Sequence, residues 1–225
     1  RQWRREDLRL VGVNCPGVVD RLATAKRLGI GVEEIESASL DGEKVRVGET
    51  FFDLHDVLYP MCQTCTMRAP ILYDALMGVE IADIPTGDPF AHIRAMEALS
   101  ADERWARFTE EISRCTLCYA CRNACPLCYC AVCFTDRTQP AWFTPTTAPE
   151  DLQFYQIVRT FHLAGRCVGC GACTRACPVE IDLRLFLDKL RLDTLELFGY
   201  EAGLSVEARP PLATYREDDP NDFIL

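Results

Sequence analysis

The chain has 225 residues, a formal net charge of −10 and 14 cysteines. An acidic chain with no basic stripe to meet phosphates is not expected to bind nucleic acid. The apolar stretches are too short to cross a membrane and the first residues do not resemble a signal peptide, so a cytoplasmic protein without membrane insertion is predicted. In that compartment, many cysteines indicate metal or cluster ligands rather than disulfides.

Residues 1–90 predict a small α/β domain. Residues 8–13 have the pattern of a strand, residues 18–28 that of a helix ending at Gly29, and residues 38–56 that of a hairpin turning at Asp41-Gly42. A Cys-x-x-Cys pair, Cys62 and Cys65, follows. The chain begins with Arg1 rather than Met, so further residues are expected upstream.

Residues 91–200 predict a helical domain, so the fold class is α+β and mainly α-helical. A capping box, Ser100 with Glu103, opens the first amphipathic helix. A second helix is predicted over residues 150–164, with Leu152, Tyr155, Val158, Phe161 and His162 on one face, and a third over residues 183–198. Residues 201–225 are predicted to form an acidic C-terminal extension.

The pattern Cys-x-x-Cys-x-x-Cys-x-x-x-Cys-Pro occurs twice in the helical part, each time after a predicted helix. We call the first copy motif 1 and the second motif 2; their cysteines are Cys115, Cys118, Cys121 and Cys125, then Cys167, Cys170, Cys173 and Cys177. Three cysteines at this spacing reach three corners of a 4Fe–4S cluster, and in two-cluster modules the Cys-Pro cysteine ligates the other cluster. Zinc sites use paired Cys-x-x-Cys instead.

Two 4Fe–4S clusters with exchanged ligands are therefore predicted. Cluster 1 takes Cys115, Cys118, Cys121 and Cys177, and cluster 2 takes Cys167, Cys170, Cys173 and Cys125. Residues 100–195, above all residues 166–182, resemble the α-helical ferredoxin modules of the heterodisulfide reductase small subunit and of succinate dehydrogenase iron–sulfur subunits. That resemblance implies an α-helical two-cluster domain.

Six cysteines remain outside these two sets. Five form a candidate third 4Fe–4S cluster that would use four of them: Cys62, Cys65, Cys128, Cys130 and Cys133. Zinc held by Cys62, Cys65 and two of the other three is the main alternative, and buried inert thiols are another. No role is predicted for Cys15.

A second resemblance rests on residues 125–134 and on the short segments 11–17, 60–65 and 82–84. They are similar to the beta subunits of deazaflavin-reducing hydrogenases and archaeal-type formate dehydrogenases. The resemblance implies an electron-transfer subunit that works with a formate dehydrogenase, a hydrogenase or a heterodisulfide-reductase-like flavoprotein. A flavin-dependent reductase subunit that acts on a soluble electron carrier is the alternative, although no glycine-rich dinucleotide fingerprint is present. A scaffold protein with structural zinc is a third reading.

Overall fold

The computed structural model describes residues 5–78, 87–214 and 217–218. The segment 82–84 and most of the end of the predicted acidic extension, residues 215–216 and 219–225, lie outside the described residues. The chain divides into two compact units, Arg1–Pro89 and Phe90–Leu225, and each is described by itself.

The first unit combines short strands with short helices. Its strands are β1 (Val11–Val13), β2 (Ala38–Asp41), β3 (Lys44–Val47), β4 (Thr50–Asp53) and β5 (Ala75–Met77), and its α-helices are α1 (Arg21–Leu28), α2 (Leu54–Val57) and α3 (Pro60–Gln63). Strands β1 and β5 pair in parallel, and β2, β3 and β4 form an antiparallel meander. The meander contains the predicted hairpin and a third strand, β4, that was not predicted separately.

Helix α1 begins at Arg21, three residues later than predicted, and ends at Leu28. The carboxylate of Asp20 accepts a hydrogen bond from the Ala23 amide at 2.9 Å and so caps the first turn. Gly29 adopts a left-handed conformation, φ 72°, and ends the helix as predicted. The small core of this unit consists of Val45, Val47, Leu54, Val57, Leu58, Met61 and Cys62.

The second unit is helical. Its α-helices are α4 (Ala91–Glu97), α5 (Ala101–Ser113), α6 (Ala120–Asn123), α7 (Pro149–Phe161), α8 (Ala172–Arg175) and α9 (Arg184–Phe198). The capping box is present, because the amide of Ser100 donates to the Glu103 carboxylate at 2.8 Å and the Glu103 amide donates back to the Ser100 hydroxyl. Among the described residues no helix is both long and apolar enough to span a bilayer.

The helices of the second unit pack in matching pairs. Helix α5, which precedes motif 1, packs on α7, which precedes motif 2, and the short helices α6 and α8 inside the motifs pack on each other. Their shared core contains Ile112, Leu152, Tyr155, Ile181, Leu183 and Leu187 together with Cys121 and Cys173. The predicted α+β class is confirmed, and both motifs are anchored in one core.

Candidate iron–sulfur site

The loops of motif 1 and motif 2 have the same backbone conformation. In motif 1, Leu117 and Tyr119 adopt left-handed conformations with φ of 51° and 59°. In motif 2, Gly169 and Gly171 occupy the same places with φ of 68° and 66°. Tyr119 and Gly171 are also the residues from which α6 and α8 begin. The repeat in sequence is therefore a repeat in structure.

Hydrogen-bond donors contact one thiol of motif 1 and two thiols of motif 2. The amide of Gly169 donates to Cys167 Sγ at 3.4 Å, and the amide of Ile181 donates to Cys177 Sγ at 3.4 Å. Gln156 on α7 donates from Nε2 to Cys115 Sγ at 3.5 Å. Donors aimed at sulfur stabilise a thiolate, which is the form that ligates iron.

Each Cys-Pro cysteine lies beside the opposite motif. Burial is the main cause that raises the pKa of Cys115, and the thiols of Cys121 and Cys177 add to this rise. Burial also raises the pKa of Cys173, and the thiol of Cys125 adds to it. The thiol of Cys177 thus acts on Cys115, and that of Cys125 on Cys173, so each Cys-Pro cysteine interacts with the opposite motif, as an exchange of ligands would require.

The eight thiols differ in exposure. Cys121 and Cys173 are buried, and Cys118 and Cys170 are exposed. The other four, which are half-buried, are Cys115, Cys125, Cys167 and Cys177. Burial raises the pKa of Cys167 to about 12, with contributions from Asp188 and Cys173. Such a site favours neutral thiols unless a cation is bound, because burial disfavours an isolated charge.

A buried cation lies among these thiols. Arg159 on α7 is only 3% exposed and donates from Nη2 to the backbone carbonyl of Cys121 at 3.1 Å. Its Nε and Nη1 have no hydrogen-bond partner among the described residues. Unpaired N–H groups on a buried cation fit an anionic thiolate-ligated cluster, so the residues present suit the 4Fe–4S clusters that the motifs imply.

The three cysteines after motif 1 line a cavity of about 330 Å³. Its walls include Cys128, Cys130 and Cys133 together with Arg122, Arg159, Arg166 and His162. A hydrogen bond from the Cys128 thiol lowers the pKa of Cys125 and raises that of Cys128. Burial raises the pKa of Cys133, but hydrogen bonds from Thr135 and Arg122 outweigh burial and hold that pKa below its usual value. The cavity thus places cysteine thiols beside three arginines, of which Arg122 is ion-paired with Asp136.

The remaining cysteines lie in the first unit. Cys62 is buried and accepts a hydrogen bond from the Val18 amide at 3.4 Å, whereas the Cys65 thiol lies 3.6 Å from the carbonyl of Met67. The amide of Cys15, which is exposed, donates to the carbonyl of Arg68 at 2.8 Å. Within the described ranges no group of three His, Cys, Asp or Glu side chains is placed to hold a single metal ion.

Arg159, Gln156 and Tyr155 were not predicted as site residues. Tyr155 is fully buried and its hydroxyl lies 3.6 Å from Cys121 Sγ. Together with Leu152 these residues follow the helical spacing of one face, so an arginine on the apolar face of α7 was the available signal.

Comparisons with known proteins agree with this chemistry. Residues 163–181, which contain the whole of motif 2, match the family model described as "4Fe-4S binding domain". The chain is 31% identical over 110 residues to the F420-dependent formate dehydrogenase subunit beta of Methanocaldococcus jannaschii, covering 49% of this chain and 27% of that protein. It is 33% identical over 135 residues to the F420-dependent formate dehydrogenase 1 subunit beta of Methanococcus maripaludis, covering 60% of this chain and 33% of that one.

These matches span about a third or less of either relative's length. They confirm the two resemblances that the sequence carries, to a ferredoxin-type module and to a formate dehydrogenase beta subunit. Residues 163–181 are similar to 4Fe–4S binding domains, and the chain is similar to part of the beta subunits of F420-dependent formate dehydrogenases.

Proposed function

We propose that this chain is an iron–sulfur electron-transfer subunit of a multisubunit cytoplasmic oxidoreductase. It relays electrons through two or three 4Fe–4S clusters between a catalytic partner and another carrier. The observation that carries the proposal is the pair of cysteine loops with left-handed residues at matching places, in which Cys177 interacts with Cys115 of motif 1 and Cys125 with Cys173 of motif 2. A duplicated module with exchanged ligands holds two clusters close together, as a relay requires.

When bound, a 4Fe–4S cluster supplies reversible one-electron transfer at a potential that its surroundings adjust. The chain's own residues bind it and shape those surroundings. Cysteine thiolates hold it, the amides of Gly169 and Ile181 stabilise the thiolates, and the core around Tyr155 limits access of water.

Iron analysis of the anaerobically purified chain tests the proposal. Two clusters correspond to about 8 iron atoms and 8 sulfides per chain, and three to about 12. Substitution of Cys125 by Ser is the sharper test, because Cys125 belongs to motif 1 in sequence but to cluster 2 by exchange. Cys125→Ser is expected to remove the EPR signal that Cys167→Ser removes, and Cys177→Ser the signal that Cys115→Ser removes.

An iron-free chain would refute the function. Loss of the same signal in Cys125→Ser and Cys115→Ser would refute the exchange of ligands and leave the function standing. Cys15→Ser is the control, because Cys15 is an exposed thiol of the first unit and is in neither predicted set.

A third cluster that uses four of Cys62, Cys65, Cys128, Cys130 and Cys133 is part of the proposal. Its support is the number of cysteines outside the two motifs and the basic, thiol-lined cavity beside Cys128 and Cys133. A value near 12 iron atoms that falls to about 8 in Cys128→Ser or Cys133→Ser supports it. Stoichiometric zinc in the wild-type chain contradicts it and supports the zinc site instead.

The proposed partners are other subunits of a redox complex, with a formate dehydrogenase first because the similar proteins carry that name. Hydrogenase and heterodisulfide-reductase-like flavoprotein subunits are the other candidates. Purification of the tagged chain from its own organism, followed by mass spectrometry, identifies the catalytic subunit. Flavin released by acid from the purified chain would favour the alternative, a flavin-dependent reductase subunit, and its absence would exclude that alternative.

A further inference from the structure

Arg159 is the cation around which the two motifs meet. It lies in α7, is 3% exposed, donates a hydrogen bond from Nη2 to the carbonyl of Cys121, and acts to lower the pKa of the Cys173 thiol through its charge and a hydrogen bond. Within the described part of the chain its Nε and Nη1 have no acceptor. A buried charge is costly unless other charges or hydrogen bonds compensate it. The two unpaired donors of this guanidinium therefore indicate that a bound ligand supplies the missing acceptors.

The groups that interact most strongly with this charge are thiols and a phenol rather than carboxylates. They are Cys121, Cys173, Tyr155 and Cys128, and the charge of Arg159 also acts on Cys125. By the proposed ligand exchange, Cys121 belongs to cluster 1, and Cys173 and Cys125 belong to cluster 2. One guanidinium is therefore a neighbour of ligands from both sets.

We propose that Arg159 is a shared tuning residue that raises the reduction potentials of both clusters at once. This inference rests on the proposed two-cluster function. An electron added to a thiolate-ligated cluster increases its negative charge, and a fixed cation stabilises the reduced form more than the oxidised form. The unpaired N–H groups act in the same direction where they donate to sulfur. Arg159 touches no substrate and tunes the centres through charge and hydrogen bonds.

The structure also provides a matched control. Arg107 precedes Cys115 by eight residues, as Arg159 precedes Cys167, but Arg107 is exposed on α5. Water screens an exposed charge, whereas a buried one acts on its neighbours through a medium of lower effective dielectric constant. Removing the charge at Arg107 changes the net charge of the chain as much as removing it at Arg159, without removing a charge beside the thiols.

Redox titration of the full chain, followed by EPR, tests the proposal. In Arg159→Met both midpoint potentials are expected to fall by at least the equivalent of a tenfold change in the redox equilibrium, about 59 mV for one electron. Arg159→Lys keeps the charge and is expected to lower both potentials by less than half as much as Arg159→Met. Arg107→Met is expected to leave both potentials unchanged. The shift is expected to be the same at pH 6.5 and pH 8.5, because a guanidinium stays protonated throughout.

Several outcomes would overturn the proposal. Unchanged potentials in Arg159→Met, a shift of one cluster only, or an equal shift in Arg107→Met would each do so. If Arg159→Met fails to retain iron, Arg159→Gln and Arg159→Lys are measured instead. Lowered potentials in Arg159→Gln, together with nearly unchanged potentials in Arg159→Lys, support the proposal. Loss of iron in all three variants assigns Arg159 a purely structural role. Absence of iron from the wild-type chain refutes the two-cluster function itself.

Discussion

Motif 1 and motif 2 reach the same loop conformation with different residues. Motif 2 uses glycines at both left-handed positions, where glycine meets no steric penalty. Motif 1 uses Leu117 and Tyr119, although such a conformation costs a residue with a Cβ about 1–2 kcal/mol. The comparison shows that the cysteine spacing imposes the backbone, and that glycine is one way of accepting it.

Packing offsets the cost in motif 1. The ring of Tyr119 lies 5.3 Å from that of Tyr155 in an edge-to-face arrangement, and the Arg122 guanidinium lies 4.8 Å from the Tyr119 ring centroid. Such contacts contribute about 0.5–1.5 kcal/mol each. In motif 2 a Cβ on Gly169 would lie 2.2 Å from Nη1 of Arg191, so a side chain at that position requires the Arg191 guanidinium to move.

Motif 2 also rests on a buried ion network. The carboxylate of Asp188, on α9, accepts hydrogen bonds from Arg191 Nη1 at 2.8 Å and Arg184 Nε at 3.3 Å, and lies 3.1 Å from His92 Nε2. Arg191 in turn occupies the space beside Gly169. The loop of motif 2 is therefore positioned by a charged side chain, whereas aromatic packing positions the loop of motif 1.

The largest expected effect comes from breaking that network. Asp188→Ala leaves two arginines without their buried partner and is expected to lower the free energy of unfolding by about 3–5 kcal/mol. Urea unfolding of the iron-loaded chain measures it. Glu196→Ala is the control, because the Arg94–Glu196 pair is exposed and worth at most about 1 kcal/mol. Equal losses in the two variants would show that the network does not support motif 2.

A smaller effect is expected at the first left-handed position of each loop, where motif 2 has Gly169 and motif 1 has Leu117. Gly169→Ala places a Cβ in a left-handed residue and displaces Arg191, so the unfolding free energy is expected to fall by about 2 kcal/mol. At the same place in motif 1 the native Leu117 already has a Cβ. Leu117→Ala therefore adds no backbone strain and is expected to lower the unfolding free energy by about 1 kcal/mol through reduced packing. If Leu117→Ala proves the more damaging, the glycine of motif 2 is not required by its surroundings.

The cysteine repeat and the helices before it could be predicted from the sequence, because cluster spacing and amphipathic periodicity are local signals. The loop of motif 1 could not, because Leu117 and Tyr119 are poor candidates for left-handed backbone. Nor could the buried face of α7 be fully predicted. Of the residues predicted to share one face of this helix, Leu152 and Tyr155 are buried, whereas Phe161 is 59% exposed. Arg159 lies on the buried face because the thiols it meets come from segments distant in sequence.

The helices that precede the motifs are capped differently, and exchanging the residues at their N-caps gives the smallest expected effect. Ser100 caps α5 through its side chain, whereas Ala148 precedes α7 without a side-chain cap and Pro149 supplies the first turn. Ser100→Ala is expected to lower the unfolding free energy by about 1 kcal/mol, and Ala148→Ser to raise it by about 0.5–1 kcal/mol, because a hydroxyl at that position accepts a hydrogen bond from an unpaired amide of the first turn. Thermal unfolding of both single variants and of the double variant measures the exchange. If the two changes in unfolding free energy nearly cancel in the double variant, a side-chain cap is worth the same to both helices. If Ala148→Ser lowers the unfolding free energy, Pro149 already fixes the start of α7.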